Sequence, residues 1–394
     1  MSGEAPLSIR GARIAHLIES DGPGGAERML ASLAAGLQAA GAENVVIAPA
    51  GGEGWLARQL NGTSVQVELF HLDRPVSPKF ARWLAATLSR HGVTLAHSHE
   101  FTMAVYGAWA ARRAGVPHLF TMHGGRYYAG RWQRRVALRV AAELSGSVVA
   151  VSQNLLRHLS RDLWIRASRI VTIPNGVRPT AVTQSTVKDE LGLGPADLLA
   201  VAVGNLYPVK GHRYLVDALA LLSARFPRLH VAIAGRGELA DALVARAHAL
   251  RVSDRVHLLG LRSDIGNLLA GADVFVLPSL SEGLPLALLE AMFAARPIVA
   301  TAVGEIPIAL DDGRAGVLVP PADAGVLATA LAGVLSDPAR ARAMGGIAAQ
   351  RAAEQYTFAG MMERYVALYG ALLQRDPADG TQSSAAFAGR APAF

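Results

Sequence analysis

Short β-branched runs alternate with Ala/Leu-rich amphipathic stretches along almost the whole chain, and a sequence patterned this way has few folds open to it. The first half reads as strands at ARIAHLI, ENVVIAP, SVQVELF, GVTLAHS, PHLFTM, SVVAVS and RIVTIP. Helical periods are predicted between them over Glu27–Ala40, Lys79–Arg90, Met103–Ala114, Arg134–Glu143 and Gln153–Leu159. The second half repeats the scheme with LLAVAVG, LHVAIAG, RVHLLG, DVFVLP, PIVAT and GVLVPP, its helices opening near Gly211, Glu238, Asp264, Pro285 and Asp323. Strand–helix alternation of this kind predicts an α/β class built from two doubly wound parallel sheets. Between the halves, IPNGVRPTAVTQSTVKDELGLGPAD breaks both periods, with the boundary expected near Val177–Val187. The expected division is 1–180, then 181–355, then a long helix within 356–375, then a Pro/Ala/Gly/Ser tail, 376–394, expected to be disordered. Ligands of doubly wound sheets lie beyond the carboxyl ends of strands, so a cleft between the two halves is the expected site.

Composition narrows the function. Of 394 residues, 51% are hydrophobic and 18% charged, which excludes a disordered chain. The absence of cysteine excludes disulfides, cysteine–zinc and iron–sulfur centres and cysteine nucleophiles. The opening residues lack a basic segment ahead of an apolar core, and no apolar run reaches the ~20 residues of a membrane span, so a cytoplasmic protein is expected. Charge is uneven: residues 1–180 carry 20 Lys+Arg against 11 Asp+Glu, the remainder 18 against 20. From Phe101 to Ala142 there are seven arginines and no acid. Such a lobe suits an anionic substrate, a membrane surface or nucleic acid. With only three lysines in the chain, an arginine-rich codon bias is the competing explanation.

Four stretches could carry chemistry. SDGPGGAERM (Ser20–Met29) follows the first strand and opens a helix, where Gly24 and Gly25 let backbone amides approach a phosphate. A tight turn is the alternative. NAD is a poor fit, because GPGG is not GxGxxG and the second strand ends in Ala48–Pro49–Ala50 without an acid. His97 and His99 end the strand GVTLAHS, and His123 follows PHLFTM; strand ends are the right address for a site. Satisfied burial is expected for His97. A hydrogen bond to a polar substrate is expected for His123, because Gly124 and Gly125 clear space beside it, and no metal site is expected. Lys210 lies just before a helix N-terminus, where a cation opposes the dipole unless an anion arrives, which makes it a phosphate-binding candidate. Finally, Glu282 and Glu290 form E-x7-E, up to ~12 Å apart at helical rise, a spacing suited to two groups of an extended ligand. Apolar neighbours of Glu290 favour its burial toward a ligand over a surface ion pair.

These residues resemble the retaining glycosyltransferases of family four, which have the GT-B fold. GPGGAE, Asn175–Gly176, VGxLxxxKG, AGxGE and EGLPLALLEAMFAARPIVAT followed by GVLVPPAD fall in family order over about residues 12–375. The resemblance implies two Rossmann-like domains, the N-terminal one binding acceptor and the C-terminal one a nucleotide-diphosphate sugar, UDP-sugar favoured, with the last helix crossing back to the N-terminal domain. It implies that Lys210 contacts the diphosphate, that Glu282 meets sugar hydroxyls with the backbone of Gly283 and Leu284, and that Glu290 binds the ribose. Gly24 and Gly25 would face the diphosphate or acceptor, and His123 would lie beside the donor sugar. Asn205, Arg236 and Arg262 would flank the donor. The catalytic set expected is His123, Lys210 and Glu282; the acceptor set is His99, Gly124, Arg126 and Tyr127. The family usually has arginine where this chain has Asn205, so one positive charge is missing, and Ile308 replaces a family glutamate. Arg213 is a candidate to compensate.

The mechanism implied is front-face displacement, with the leaving phosphate helping to deprotonate the acceptor, and with no cofactor and no metal. In HGGRYYAGRWQRRVALRV (His123–Val140), Arg126, Arg131, Arg134 and Arg135 interleave with Tyr127, Tyr128 and Trp132. That mixture suits an anionic membrane surface or a diphosphate lipid head, and the expected acceptor is a lipid-linked or envelope glycan at the inner face of the membrane. A solvated helix face is the plainer reading of the same residues. Nucleic acid is not an expected partner. Competing functions are a sugar-nucleotide epimerase or hydrolase on the same fold, and a non-catalytic nucleotide-sugar or membrane-binding module.

Overall fold

The structure, a computed structural model, describes residues 9–124, 130–180 and 184–374. It divides into unit 1, Met1–Asn175 with Ala359–Phe394, and unit 2, Gly176–Phe358. In unit 1 the strands are β1 (Arg13–Leu17), β2 (Glu43–Pro49), β3 (Gln66–Phe70), β4 (Leu95–His99), β5 (His118–Met122), β6 (Ser147–Ala150) and β7 (Ile170–Thr172). They form one parallel sheet in the order β3-β2-β1-β4-β5-β6-β7. In unit 2, β8 (Leu198–Val203), β9 (Leu229–Ala234), β10 (Val256–Gly260), β11 (Val274–Leu277), β12 (Ile298–Thr301) and β13 (Val317–Val319) form a parallel sheet in the order β10-β9-β8-β11-β12-β13. Every strand read from the sequence is present. Parallel strands need crossovers that cover both faces, which is why β4, β5 and β6 are buried at every residue and read as unbroken runs rather than alternating ones.

The crossover helices follow local signals. Ser77 caps Pro78–Arg90 by accepting from Phe80 N at 3.2 Å, with proline at the first position. Asp323 caps Ala324–Ser336 through Val326 N at 2.9 Å. The helix Pro338–Gln355 is not anticipated in the sequence reading, although Asp337 caps it through Arg340 N at 3.0 Å and proline opens it. Its Ala- and Gly-rich stretch gives a weak apolar period, and only Ala341, Gly345, Ala348 and Ala352 are buried.

The boundary between units falls earlier than the Thr/Ser-rich linker suggests. Val177 already bridges Thr357, donating from its N–H to the Tyr356 carbonyl at 3.0 Å while its own carbonyl accepts from Phe358 N at 3.0 Å. Arg178 lies over the Phe358 ring, 3.9 Å from its centroid. The last helix, Phe358–Leu373, packs into unit 1: Tyr369 and Tyr365 are buried, their hydroxyls meeting His97 Nδ1 at 2.6 Å and Thr121 Oγ1 at 3.1 Å. The tail expected to be disordered lies outside the described residues. No helix among the described residues is long and apolar enough to cross a membrane.

The helix Glu100–Ala114 approaches the unit 1 sheet at Gly107. A Cβ there would lie 2.1 Å from Ser98 Oγ and 2.8 Å from His118 Nε2, two atoms that bond each other at 2.8 Å. Gly107→Ala should therefore cost about 1–3 kcal/mol by overpacking. Gly333→Ala, in a helix position with no atom within 4 Å, should gain about 0.5–1 kcal/mol. Thermal melts of the two variants should move in opposite directions; a rise in both would remove the close-approach argument.

Candidate functional site

Each sheet reverses its winding once, between β1 and β4 in unit 1 and between β8 and β11 in unit 2. Crossovers leave such a pair in opposite directions, so the loops beyond their carboxyl ends diverge and leave room for a ligand. Gly24, Gly25, His99, Asn205, Lys210 and Glu282 lie at these two places, whereas His123 and Gly124 follow β5, Arg236 follows β9 and Arg262 follows β10.

In unit 2, the loop after β8 holds Asn205 and ends in the turn Pro208–Lys210, and the loop after β11 holds Ser279 and Glu282. Backbone bonds stitch the loops together: Gly204 N to the Ala234 carbonyl at 2.9 Å, Leu206 N to the Arg236 carbonyl at 2.9 Å, and Leu280 N to the Val209 carbonyl at 2.8 Å. Gly211, at φ 65, opens the helix His212–Leu222; a Cβ there would sit 2.0 Å from the Pro278 carbonyl oxygen, so glycine is what lets the Lys210 turn lie on the Glu282 loop. Gly304, at φ 59, makes the same close approach from the loop after β12, where a Cβ would be 2.1 Å from the Glu282 carbonyl oxygen.

The result is a charge pair at the switch point. Lys210 Nζ donates to Glu282 Oε1 at 2.7 Å, and Ser279 Oγ donates to the same oxygen at 2.7 Å. The Glu282 side chain is 8% exposed and Lys210 26%, so the carboxylate is the more deeply held partner. The two residues expected to hold different parts of a donor thus hold each other. The backbone carbonyl of Gly283 accepts from Glu305 N at 3.0 Å, and Leu284 is buried. Glu290 lies on the helix Leu286–Phe293 among buried Leu288, Leu289, Ala291 and Met292 and is itself half-buried. Arg236 is exposed; Arg213 is exposed and stacked over the Tyr214 ring; Ile308 is half-buried. Arg262 differs from a plain loop cation. Its guanidinium holds Asp264 at 2.7 and 2.6 Å and Glu190 at 2.9 Å, which raises its own pKa and lowers that of Asp264 through these hydrogen bonds. It braces the loop after β10 against the segment Val187–Glu190.

In unit 1, Gly24 precedes the helix Gly25–Ala39 with no side-chain cap. Gly25 is exposed, and a Cβ on Gly24 would meet Glu27 Oε2 at 2.3 Å. His99 is fully buried at the end of β4, its Nδ1 3.1 Å from His123 Nε2 with the rings nearly parallel. His123 donates its backbone N–H to Glu100 Oε1 at 3.1 Å, and Gly124 beside it takes φ 120. His97 is satisfied in burial, its ring nitrogens engaged by Tyr369 and by Thr121 Oγ1 at 2.8 Å. Arg126 and Tyr127 lie outside the described residues, as do Gly125 and Tyr128.

Sequence reasoning missed His16, which β1 brings beside His97 and His99; one ring nitrogen from each lies within 4.8 Å of the others, a grouping that could take a metal ion only by breaking a His97 hydrogen bond. A polar residue inside an apolar strand was the one available signal. It also missed His212, buried, whose Nε2–H donates to the Gly204 carbonyl at 3.1 Å, and Ser279, whose hydroxyl is recognisable only once Glu282 is folded over it.

The comparisons agree with the motifs. Residues 23–181 match the family described as Glycosyltransferase Family 4, and residues 197–337 match Glycosyl transferases group 1. The UDP-Gal:alpha-D-GlcNAc-diphosphoundecaprenol alpha-1,3-galactosyltransferase of Escherichia coli is 31% identical over 229 residues, 54% of this chain and 58% of that one, so the match spans little more than half its length. The alpha-maltose-1-phosphate synthase of Mycobacterium tuberculosis is 30% identical over 311 residues, 70% of this chain and 78% of the relative. Among solved structures, Anabaena HepE in complex with UDP and glucose superposes with a TM-score of 0.80 at 23% identity, over 91% of this chain and all of that one. A glycosyltransferase from Rickettsia africae gives 0.78 at 19%, over 93% and 100%. Together with the two doubly wound sheets, these likenesses give the chain the GT-B fold.

Two outcomes follow. Lys210→Ala strands a largely buried carboxylate with Ser279 alone and should destabilise unit 2 by about 1–3 kcal/mol. Adding Glu282→Ala should recover part of that loss in a double-mutant cycle; strictly additive losses would mean the pair is not coupled. The second concerns pH. Burial lowers the pKa of His16 and His123 to about 4 and of His118 to about 3. Unfolded histidines protonate near 6.5, so acid favours the unfolded chain, by about 2 kcal/mol for each of the three between about pH 7.5 and about pH 5. Glu100, pushed up to about 8 by withdrawal from water and by Glu19, acts oppositely and returns about 3 kcal/mol over that window. The net sign is loss of stability in acid, and His16→Asn should flatten the fall in melting temperature.

Proposed function

The chain belongs to glycosyltransferase family four, and from that premise we propose that it moves a sugar from a nucleotide-diphosphate donor, UDP-sugar favoured, to an acceptor hydroxyl with retention at the anomeric carbon. The observation that carries this reading is the Lys210–Glu282–Ser279 cluster at the switch point of unit 2, with Glu290 on the helix that follows. One cation beside a hydroxyl-binding carboxylate fits a diphosphate joined to a sugar. The carboxylate of Glu290 fits a ribose diol.

In the proposed step the bond from the anomeric carbon to the diphosphate breaks as the bond to the acceptor oxygen forms on the same face. The acceptor proton passes to the departing phosphate. Lys210 stabilises the charge that grows on that phosphate, the kind of preorganised electrostatic contribution that dominates such sites. Glu282 orients the sugar through its hydroxyls, with the Gly283 and Leu284 backbone. His123, kept neutral by burial, offers an uncharged hydrogen bond to a hydroxyl. The remaining donor contacts proposed are Gly24, Gly25, Asn205 and Arg236, with Arg262 acting through the loop it braces. The acceptor contacts proposed are His99 and Gly124, with unit 1 as the acceptor-binding domain and unit 2 as the donor-binding domain.

For the acceptor we propose a lipid-linked or envelope glycan reached from the cytoplasmic face of a membrane. Support comes from the basic first half of the chain and from the lipid diphosphate in the name of the E. coli relative. Melting curves with UDP, GDP and ADP should show the largest rise with the nucleotide the donor carries. Lys210→Ala and Glu290→Ala should each cut transfer at least ~10-fold, about 1.4 kcal/mol of transition-state stabilisation. Near-wild-type transfer in both, release of free sugar independent of acceptor, or an inverted product anomer would each overturn the corresponding part of the proposal.

A further inference from the structure

The helix Trp132–Leu144 buries one face and leaves an apolar stripe on the other. Leu138, Ala141 and Ala142 anchor it in unit 1. On the outer side Trp132, Val136 and Val140 are 70%, 51% and 53% exposed. Their i, i+4, i+8 spacing sets them in a single row. A helix already anchored by its inner face gains nothing in folding from such a row. Arg131, Arg135 and Arg139 are exposed around it. Glu143, the acid at the helix end, is engaged by Arg166 and by Arg169 at 3.5 Å. Trp164 adds a second aromatic: it is 71% exposed, takes φ 55, and lines a cavity of about 440 Å³ with Arg135, Arg161, His158 and one acid, Asp162, which the His158 ring engages. A bulky residue at positive φ carries backbone strain, and here the ring is held outward rather than packed.

We propose that this face, Trp132, Val136 and Val140 with Trp164 and the surrounding arginines, docks on an anionic phospholipid bilayer. Charge complementarity selects the occupant. The guanidiniums match headgroup phosphates, while the valines and indoles match the boundary between headgroups and acyl chains, where tryptophan is at home. Nucleic acid would use the cations and leave the valines without a role. The proposal stands on unit 1 residues alone; it deepens the membrane-face reading of the acceptor and is independent of the sugar-transfer step.

The test is co-sedimentation of the full chain with vesicles of phosphatidylcholine alone and of phosphatidylcholine mixed with phosphatidylglycerol. Binding to the mixed vesicles should be at least ~10-fold stronger and should weaken with added salt. The double variant Trp132→Ser, Val136→Ser and the single variant Arg139→Glu should each lower it at least ~5-fold. All three side chains are exposed, so the variants should keep the wild-type melting temperature and its rise with UDP. Equal binding to both vesicle types, wild-type binding by either variant, or insensitivity to salt would overturn the proposal, and retention of a protein partner by the face in place of lipid would do the same. The UDP-induced rise, measured without vesicles, reports on the sugar-transfer reading separately, so either can fail while the other stands.

Discussion

The loops that matter here are where they are because parallel strands cannot be joined by tight turns. Each strand needs a crossover helix, each helix must cover one face of the sheet, and the winding reverses once per sheet. That reversal puts the carboxyl ends of β8 and β11 side by side with diverging chains, and there Lys210 and Glu282 meet. The same reversal between β1 and β4 puts the Gly24–Gly25 turn near the strand that ends in His99. The contact is thus a by-product of topology, refined by two glycines, Gly211 and Gly304, whose missing Cβ atoms let three loops lie directly on one another.

The polar groups of the two units are held in contrasting ways. In unit 2 a charged pair persists because one partner keeps access to water and the carboxylate gains a second donor in Ser279. In unit 1, His16, His97, His99, His118 and His123 are kept neutral by withdrawal from water. Several pass hydrogen bonds among themselves and to Tyr369, Thr121 and Ser145.

Much of this was legible in the sequence. The strands stood out because buried parallel strands are continuous apolar runs, and Lys210, Glu282 and Glu290 stood out as charges at strand ends and on an otherwise apolar helix. What escaped notice depended on long-range contact. His16 has no neighbour in sequence that betrays its partners, and Ser279 becomes informative only through the fold of its own loop. Arg262 reads as a loop cation beside Asp264, and its bracing role is hidden because Glu190, the second carboxylate it holds, lies far back in the chain. The helix Pro338–Gln355 was hidden by its small residues, one of which, Gly345, is small because the Ala295 carbonyl would lie 2.3 Å from any Cβ.

The return of the last helix to unit 1 has a consequence for biogenesis. Tyr365 and Tyr369 close over Thr121 and His97, yet they emerge from the ribosome only after the whole of unit 2. Synthesis ordinarily lets an N-terminal domain finish first. Here the sheet of unit 1 must wait with a polar seam uncovered until the helix Phe358–Leu373 is translated, so the two units are completed in the reverse of the order in which their sheets are made.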